Sequence, residues 1–122
     1  MFSERADRVR IPHAVQVQDP RGLVVTVAPD DWDHALEGHP EMAVRFEDVL
    51  QAIRTPTVIQ GSATDPDSQA YFWLKPVNFG RFSDLYVTVV VKVDEAAATG
   101  RMRTAYLSGR LGRGKVLWVH KP

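Results

Sequence analysis

The 122-residue chain contains no cysteine. Disulfides and thiolate zinc sites are therefore excluded, and a reducing compartment is compatible. No apolar run approaches the roughly 18 residues of a membrane span. The first ten residues, Met-Phe-Ser-Glu-Arg-Ala-Asp-Arg-Val-Arg, are charged and lack the apolar stretch of a secretion signal. The expected compartment is the cytoplasm, with no membrane partner. Net charge is absent as well, since 15 Lys and Arg offset 15 Asp and Glu. Internal repeats and low-complexity segments are also lacking.

What is present describes an ordinary folded domain. Hydrophobic content of 44% and charged content of 25% argue against disorder, and this length suits one domain with a real core. The zero net charge conceals a split. Residues 1–74 balance to −6, with six Arg against twelve Asp or Glu, while residues 75–122 balance to +6. Such a chain can present a basic face to phosphates. Alternatively, the two halves neutralise each other in the fold.

Residues 1–12 show no periodicity and read as a flexible arm ahead of a single domain over 13–122. Ala14–Gln18 and Leu23–Val27 alternate in polarity around Asp19-Pro20-Arg21-Gly22, the mark of a hairpin. A first helix starts near Pro29-Asp30-Asp31, buries Trp32, Ala35 and Leu36, and stops at Gly38. A second is expected from Pro40, with Met42, Phe46, Val49, Leu50 and Ile53 inward, ending at Thr55-Pro56. Strand chemistry follows at Thr57–Ile59, Tyr71–Leu74, Leu85–Val93, Met102–Leu107 and Val116–Val119. The expected class is α+β, two short helices followed by a mostly antiparallel sheet of about four to five strands.

Alternation gives the sheet two unlike faces. Leu85, Val87, Val89, Val91 and Val93 share one side, and Tyr86, Thr88, Val90 and Lys92 the other. The aliphatic set is expected against the helices. Thr104, Tyr106, Trp118 and His120 are expected opposite it with Lys92, and Arg103 fits neither set. A face of aromatics and hydroxyls can stack bases; the alternative is an ordinary solvated outer face.

Chemistry concentrates at Trp32-Asp33-His34-Ala35-Leu36-Glu37-Gly38-His39-Pro40-Glu41. His34 lies off the apolar stripe, and His39 sits in the turn beside a helix start, where free N–H groups suit a phosphate. The His-x4-His spacing does not place both rings on one helical face, nor is it the His-Glu-x-x-His zinc pattern. No metal or other cofactor is expected. A purely structural reading pairs Glu41 with Arg45 at i, i+4 and leaves His39 to cap or pack. Gly109-Arg110-Leu111-Gly112-Arg113-Gly114-Lys115 is a basic glycine-rich loop that can approach a phosphate backbone but lacks the Walker pattern.

Taken together, Asp33-His34, His39-Pro40-Glu41, Thr55-Pro56, Thr104-Ala105-Tyr106 and Trp118 resemble the phage-associated nuclease domains of the barnase, EndoU, colicin and RelE-like superfamily. The resemblance spans roughly Trp32 to Trp118. It implies helices ahead of an antiparallel sheet and a metal-independent endoribonuclease of phage or toxin type. In such an enzyme a 2′-OH attacks the adjacent phosphate to leave a 2′,3′-cyclic phosphate. That chemistry needs a base, an acid and stabilisation of the phosphorane, and imidazole titrates in the right range. The resemblance implies His34 and His39 as acid and base, Glu41 orienting one ring, and Thr104 and Tyr106 on phosphate or base. Lys92, Arg103, Arg113 and Trp118 would hold the RNA. Members usually carry Arg before the second His, where this chain has Gly38. That departure favours two other readings, an RNA-binding module without catalysis and a module whose basic half binds an acidic antitoxin or immunity protein.

Overall fold

The Asp19-Pro20-Arg21-Gly22 turn joins β1 (Val15–Gln18) antiparallel to β2 (Val24–Val27). Gly22 takes the positive φ of 95° that the turn requires. The chain continues into α1 (Pro29–Gly38), a 3-10 turn at Pro40–Met42 and α2 (Phe46–Arg54). Five strands follow: β3 (Val58–Gly61), β4 (Ser68–Phe79), β5 (Phe82–Asp94), β6 (Thr99–Ser108) and β7 (Val116–Val119). The computed structural model describes residues 10–79 and 82–121. Most of the expected arm lies outside the described residues, although Ile11 packs against the core. All seven strands form one mixed sheet ordered β1-β2-β6-β5-β4-β3-β7. Among the described residues, only the β2–β6 pairing is parallel.

The α+β class holds, but the sheet has seven strands rather than four or five, and two of them precede the helices. The second helix begins at Phe46 rather than Pro40. Pro40 opens the 3-10 turn instead, pinned by Met42, which is fully buried. Consequently Glu41 and Arg45 do not sit one helical turn apart, and Arg45 pairs with Asp48 at 3.5 Å. Among the described residues, no helix is long and apolar enough to cross a membrane.

The helix-side core follows from alternation in β5. Val87, Val89 and Val91 are fully buried beneath Trp32, Ala35 and Met42 and the α2 residues Val49, Ala52 and Ile53. Each aliphatic side chain so buried contributes about 1.5–3 kcal/mol. In β6 the alternation changes phase, because Val91 pairs with Met102 while Val90 pairs with Thr104. Arg103 is the extra residue of this bulge. Met102 and Ala105 therefore both face the helices, fully buried, while Thr104 and Tyr106 face away. Trp118 corrects another expectation. It pairs with Ile59, whose side chain is in the core, and packs against that same core rather than on the opposite face.

The β1–β2 turn reaches β4 across the helix side. The Asp19 carboxylate, fully buried, is gripped by Arg21 through Nε at 3.1 Å and Nη2 at 2.9 Å. It also accepts the Tyr71 hydroxyl at 2.7 Å and the Leu23 N–H at 2.9 Å. Arg21 continues to Gln69 at 2.7 Å. Because β6 and β5 intervene between β2 and β4, these contacts require a curled sheet.

Burial, and then the neighbouring Asp19 carboxylate, push ionisation of the Tyr71 phenol well above its ordinary range. An unfolded tyrosine loses its proton near pH 10, so Tyr71's contribution is complete below about pH 10 and is lost as pH rises further. The stability advantage of the parent over Tyr71→Phe should therefore shrink by about 1.4 kcal/mol between pH 8 and 11. Denaturant melts of both proteins at pH 8 and pH 11 measure it; an unchanged gap would mean that the folded phenol ionises freely.

Candidate functional site

The connection from β6 to β7 builds the outer face. It must pass β5, β4 and β3 to reach the sheet edge, about 19 Å at the usual strand spacing. The eight peptide steps from Ser108 to Val116 reach roughly 26–29 Å when extended. The connector crosses on the face opposite the helices. A Cβ on Gly112 would lie 3.1 Å from the Gln60 Oε1 and 3.6 Å from the Phe72 ring. One on Gly114 would land on the Gly61 carbonyl, and the Gly61 N–H donates to the Lys115 carbonyl at 2.8 Å. Two of the loop glycines thus answer a close backbone approach to β3. Beneath it, Val58, Gln60, Phe72 and Thr88 are buried although they face away from the helices.

At one margin of this face lies His39. Beyond β2 the parallel pairing stops and α1 runs beside β6, with the Arg101 Nε donating to the Asp31 Oδ2 at 2.5 Å. The end of α1 then delivers the His39 ring to Tyr106, centroids 5.3 Å apart and planes tilted by 34°. The Glu41 Oε2 stands 3.6 Å from the His39 Nδ1, leaving Nε2 as the nitrogen turned from the carboxylate. The imidazole is about two-fifths exposed (39%) and the Glu41 carboxylate is mostly covered. Thr104, two residues before Tyr106, shares its face.

His34 does not join this group. It stands about 200° around α1 from Trp32, 79% exposed, with the Glu37 Oε2 3.8 Å from its Nδ1. Gly38 closes α1 with open space around it, for an added Cβ would meet nothing within 4 Å. No packing reason demands glycine there.

The expected cations separate into two kinds. Lys92 faces Asp65 at 3.6 Å. The Ser68 hydroxyl and then the Asp67 N–H hold Asp65 below the usual carboxylate range, so this partner stays ionised. Arg103 and Arg113 have no ion partner among the described residues. Arg103 lines an open groove of about 900 Å³ with Lys92 and Arg101, where Asp67, Asp94 and Glu95 offset the positive charge. Arg113 lines a smaller cavity of about 340 Å³ under the connector, shared with Gln60, Phe72, Val90 and Tyr106. No cluster of three or more His, Asp or Glu side chains suited to a metal ion occurs among the described residues.

Two features escaped sequence reasoning. Gln60 sits in a short apolar strand, and its buried amide oxygen has no hydrogen-bond partner. The Asp19–Arg21–Tyr71 network joins residues 52 positions apart. A glutamine between Ile59 and Gly61, and a tyrosine on a helix-facing strand position, were the only local signals. No family model matches the chain, and comparison with curated proteins and with solved structures also finds no match.

Proposed function

We propose that the outer sheet face binds single-stranded RNA and cleaves it without a metal ion, in the manner of the phage-associated nuclease domains the sequence resembles. The observation that carries this reading is the His39 ring against Tyr106 with Glu41 behind its Nδ1. The carboxylate favours the tautomer that leaves Nε2 unprotonated, ready to take the 2′-OH proton. As O2′ bonds to phosphorus, the bond from phosphorus to O5′ breaks, and the leaving oxygen takes a proton from the Tyr106 hydroxyl. The products are a 2′,3′-cyclic phosphate and a 5′-OH. Arg103 and Arg113 offset the charge that develops on the phosphorane. His34 takes no part, in contrast to the pair of histidines expected from the resemblance.

RNA binding without cleavage is the second reading, favoured by the separation of His34 and by Gly38. Labelled single-stranded RNA incubated with the protein in EDTA distinguishes them, together with the variant Gly38→Arg, whose site is sterically open. Cleavage in EDTA with cyclic-phosphate ends is expected from the parent. An arginine supplying one more contact to the phosphorane should raise its rate about tenfold or more. Binding without cleavage by either protein would establish the second reading. Cleavage abolished by EDTA would return the reaction to metal chemistry, and no RNA binding at all would remove both readings.

A further inference from the structure

The sheet ends at β1 on one side and at β7 on the other, and an edge strand presents N–H and C=O groups that another strand can use. The two edges differ in chemistry. In β1 the exposed side chains are Gln16 and Gln18, while Val17 is buried. In β7 the exposed ones are Val116 (49%), Leu117 (39%) and Val119 (49%), and Trp118 alone of the four turns into the core. Val119 pairs with Val58 and Val116 with Gln60, so both belong to the face away from the helices. Leu117 is the extra residue of a bulge against β3. Beyond it the His120 N–H donates to the Thr57 carbonyl at 3.0 Å. By alternation, the N–H and C=O groups of Val119 and Lys121 then point to the open edge. The run from Val116 to Lys121 lines an open depression of about 620 Å³.

Cations bracket this apolar strip. Lys115 precedes it and Lys121 follows it, both exposed, and neither has an ion partner among the described residues. No Asp or Glu occurs after Glu95, so β7 and its flanks supply no counter-charge. Antiparallel pairing of two β7 strands would set the Lys115 end of one against the Lys121 end of the other, and like charges placed opposite are destabilising. An extended segment with acidic ends meets the opposite sign at both. We propose that β7 is a docking edge for an acidic extended segment of a partner protein, which adds to the sheet as a further strand. Main-chain bonds to Val119 and Lys121 hold it, its alternate apolar side chains cover Val116 and Val119, and its terminal carboxylates meet Lys115 and Lys121. Because β5, β4 and β3 lie between β7 and the strand that carries Tyr106, this docking edge stands apart from the RNA-cleaving reading.

The test is titration of the full-length protein with two short peptides, followed by calorimetry and amide chemical shifts. Both alternate valine with threonine; one ends in paired aspartates and its twin in paired lysines. We expect the acidic peptide to bind and to shift amides of β7 and β3, and the lysine twin to bind at least about tenfold more weakly. Val119→Pro removes an outward N–H that β3 does not use and should weaken the acidic peptide about tenfold. Lys115→Glu combined with Lys121→Glu, both at exposed positions, should reverse the preference between the peptides, and so tests the edge even where the proline variant fails to fold. Absence of binding by both peptides, equal binding, shifts confined to another surface, or an unreversed preference in the double variant overturns the proposal. A parent that dimerises in sedimentation, and no longer does so as Val119→Pro, gives the edge to a second copy of the chain instead. Single-stranded RNA that shifts the β7 amides where the acidic peptide does not gives it to nucleic acid.

Discussion

His39→Ala should lower the rate of RNA cleavage by about 10²–10⁴-fold with no change in melting temperature beyond a degree or two. The imidazole is about two-fifths exposed and lies at the margin of the face against the Tyr106 ring, so its removal leaves no large hole. The same assay applied to His34→Ala should return the parent's rate, since that ring stands in solvent beside Glu37. Glu41→Gln tests the positioning role of the carboxylate. It keeps the shape but removes the charge that favours protonated Nδ1, and should cost a smaller factor than the loss of His39. RNA affinity, measured with a 2′-deoxy analogue that cannot react, should change little in all three. Equal loss in His34→Ala and His39→Ala would restore the two-histidine arrangement that the resemblance implies. Full activity in His39→Ala would end the proposal that this ring moves the proton.

The contrast between the two histidines was only half legible in the sequence. The helical stripe of Trp32, Ala35 and Leu36 already placed His34 outside the core. The meeting of His39 with Tyr106 was not legible, because it depends on α1 taking the place beside β6 that β2 vacates after Thr26. The faces of β5 were readable since five apolar residues recur with period two. Those of β6 do not follow one alternation, because a single bulged residue, Arg103, reverses the parity on either side of it. Arg103 had already failed to fit either face. Trp118 went to the wrong face because β7 joins the sheet beside β3, a neighbour 59 residues earlier in its Trp118–Ile59 pair. Parity carried forward from β6 says nothing about that register. Pro40 fits the first position of an α-helix or of a 3-10 turn equally well. Burial of Met42 decides between them, and burial is a tertiary property.

The largest effect on stability is expected at Arg21, a residue whose sequence context marks nothing more than a turn. Its guanidinium, 22% exposed, faces a carboxylate with no solvent exposure. Truncation in Arg21→Ala strands the Asp19 charge inside the fold, and breaking a buried pair from one side costs about 3–5 kcal/mol. Asp19 keeps the Tyr71 hydroxyl and the backbone N–H groups of Arg21 and Leu23, which places the expected loss near the lower figure, about 3 kcal/mol. For a domain of this size that corresponds to a fall in Tm of roughly 10–15 °C. The cause can be separated from lost packing by a second substitution. Asp19→Asn in the Arg21→Met background removes the stranded charge, retains an amide oxygen for the turn N–H groups, and restores the apolar stem of Arg21. It should recover most of the loss, a coupling that a double-mutant cycle reads directly. Should Arg21→Ala melt within a degree or two of the parent, the turn is not anchored through this pair, and the curl of the sheet must rest on the aliphatic core alone.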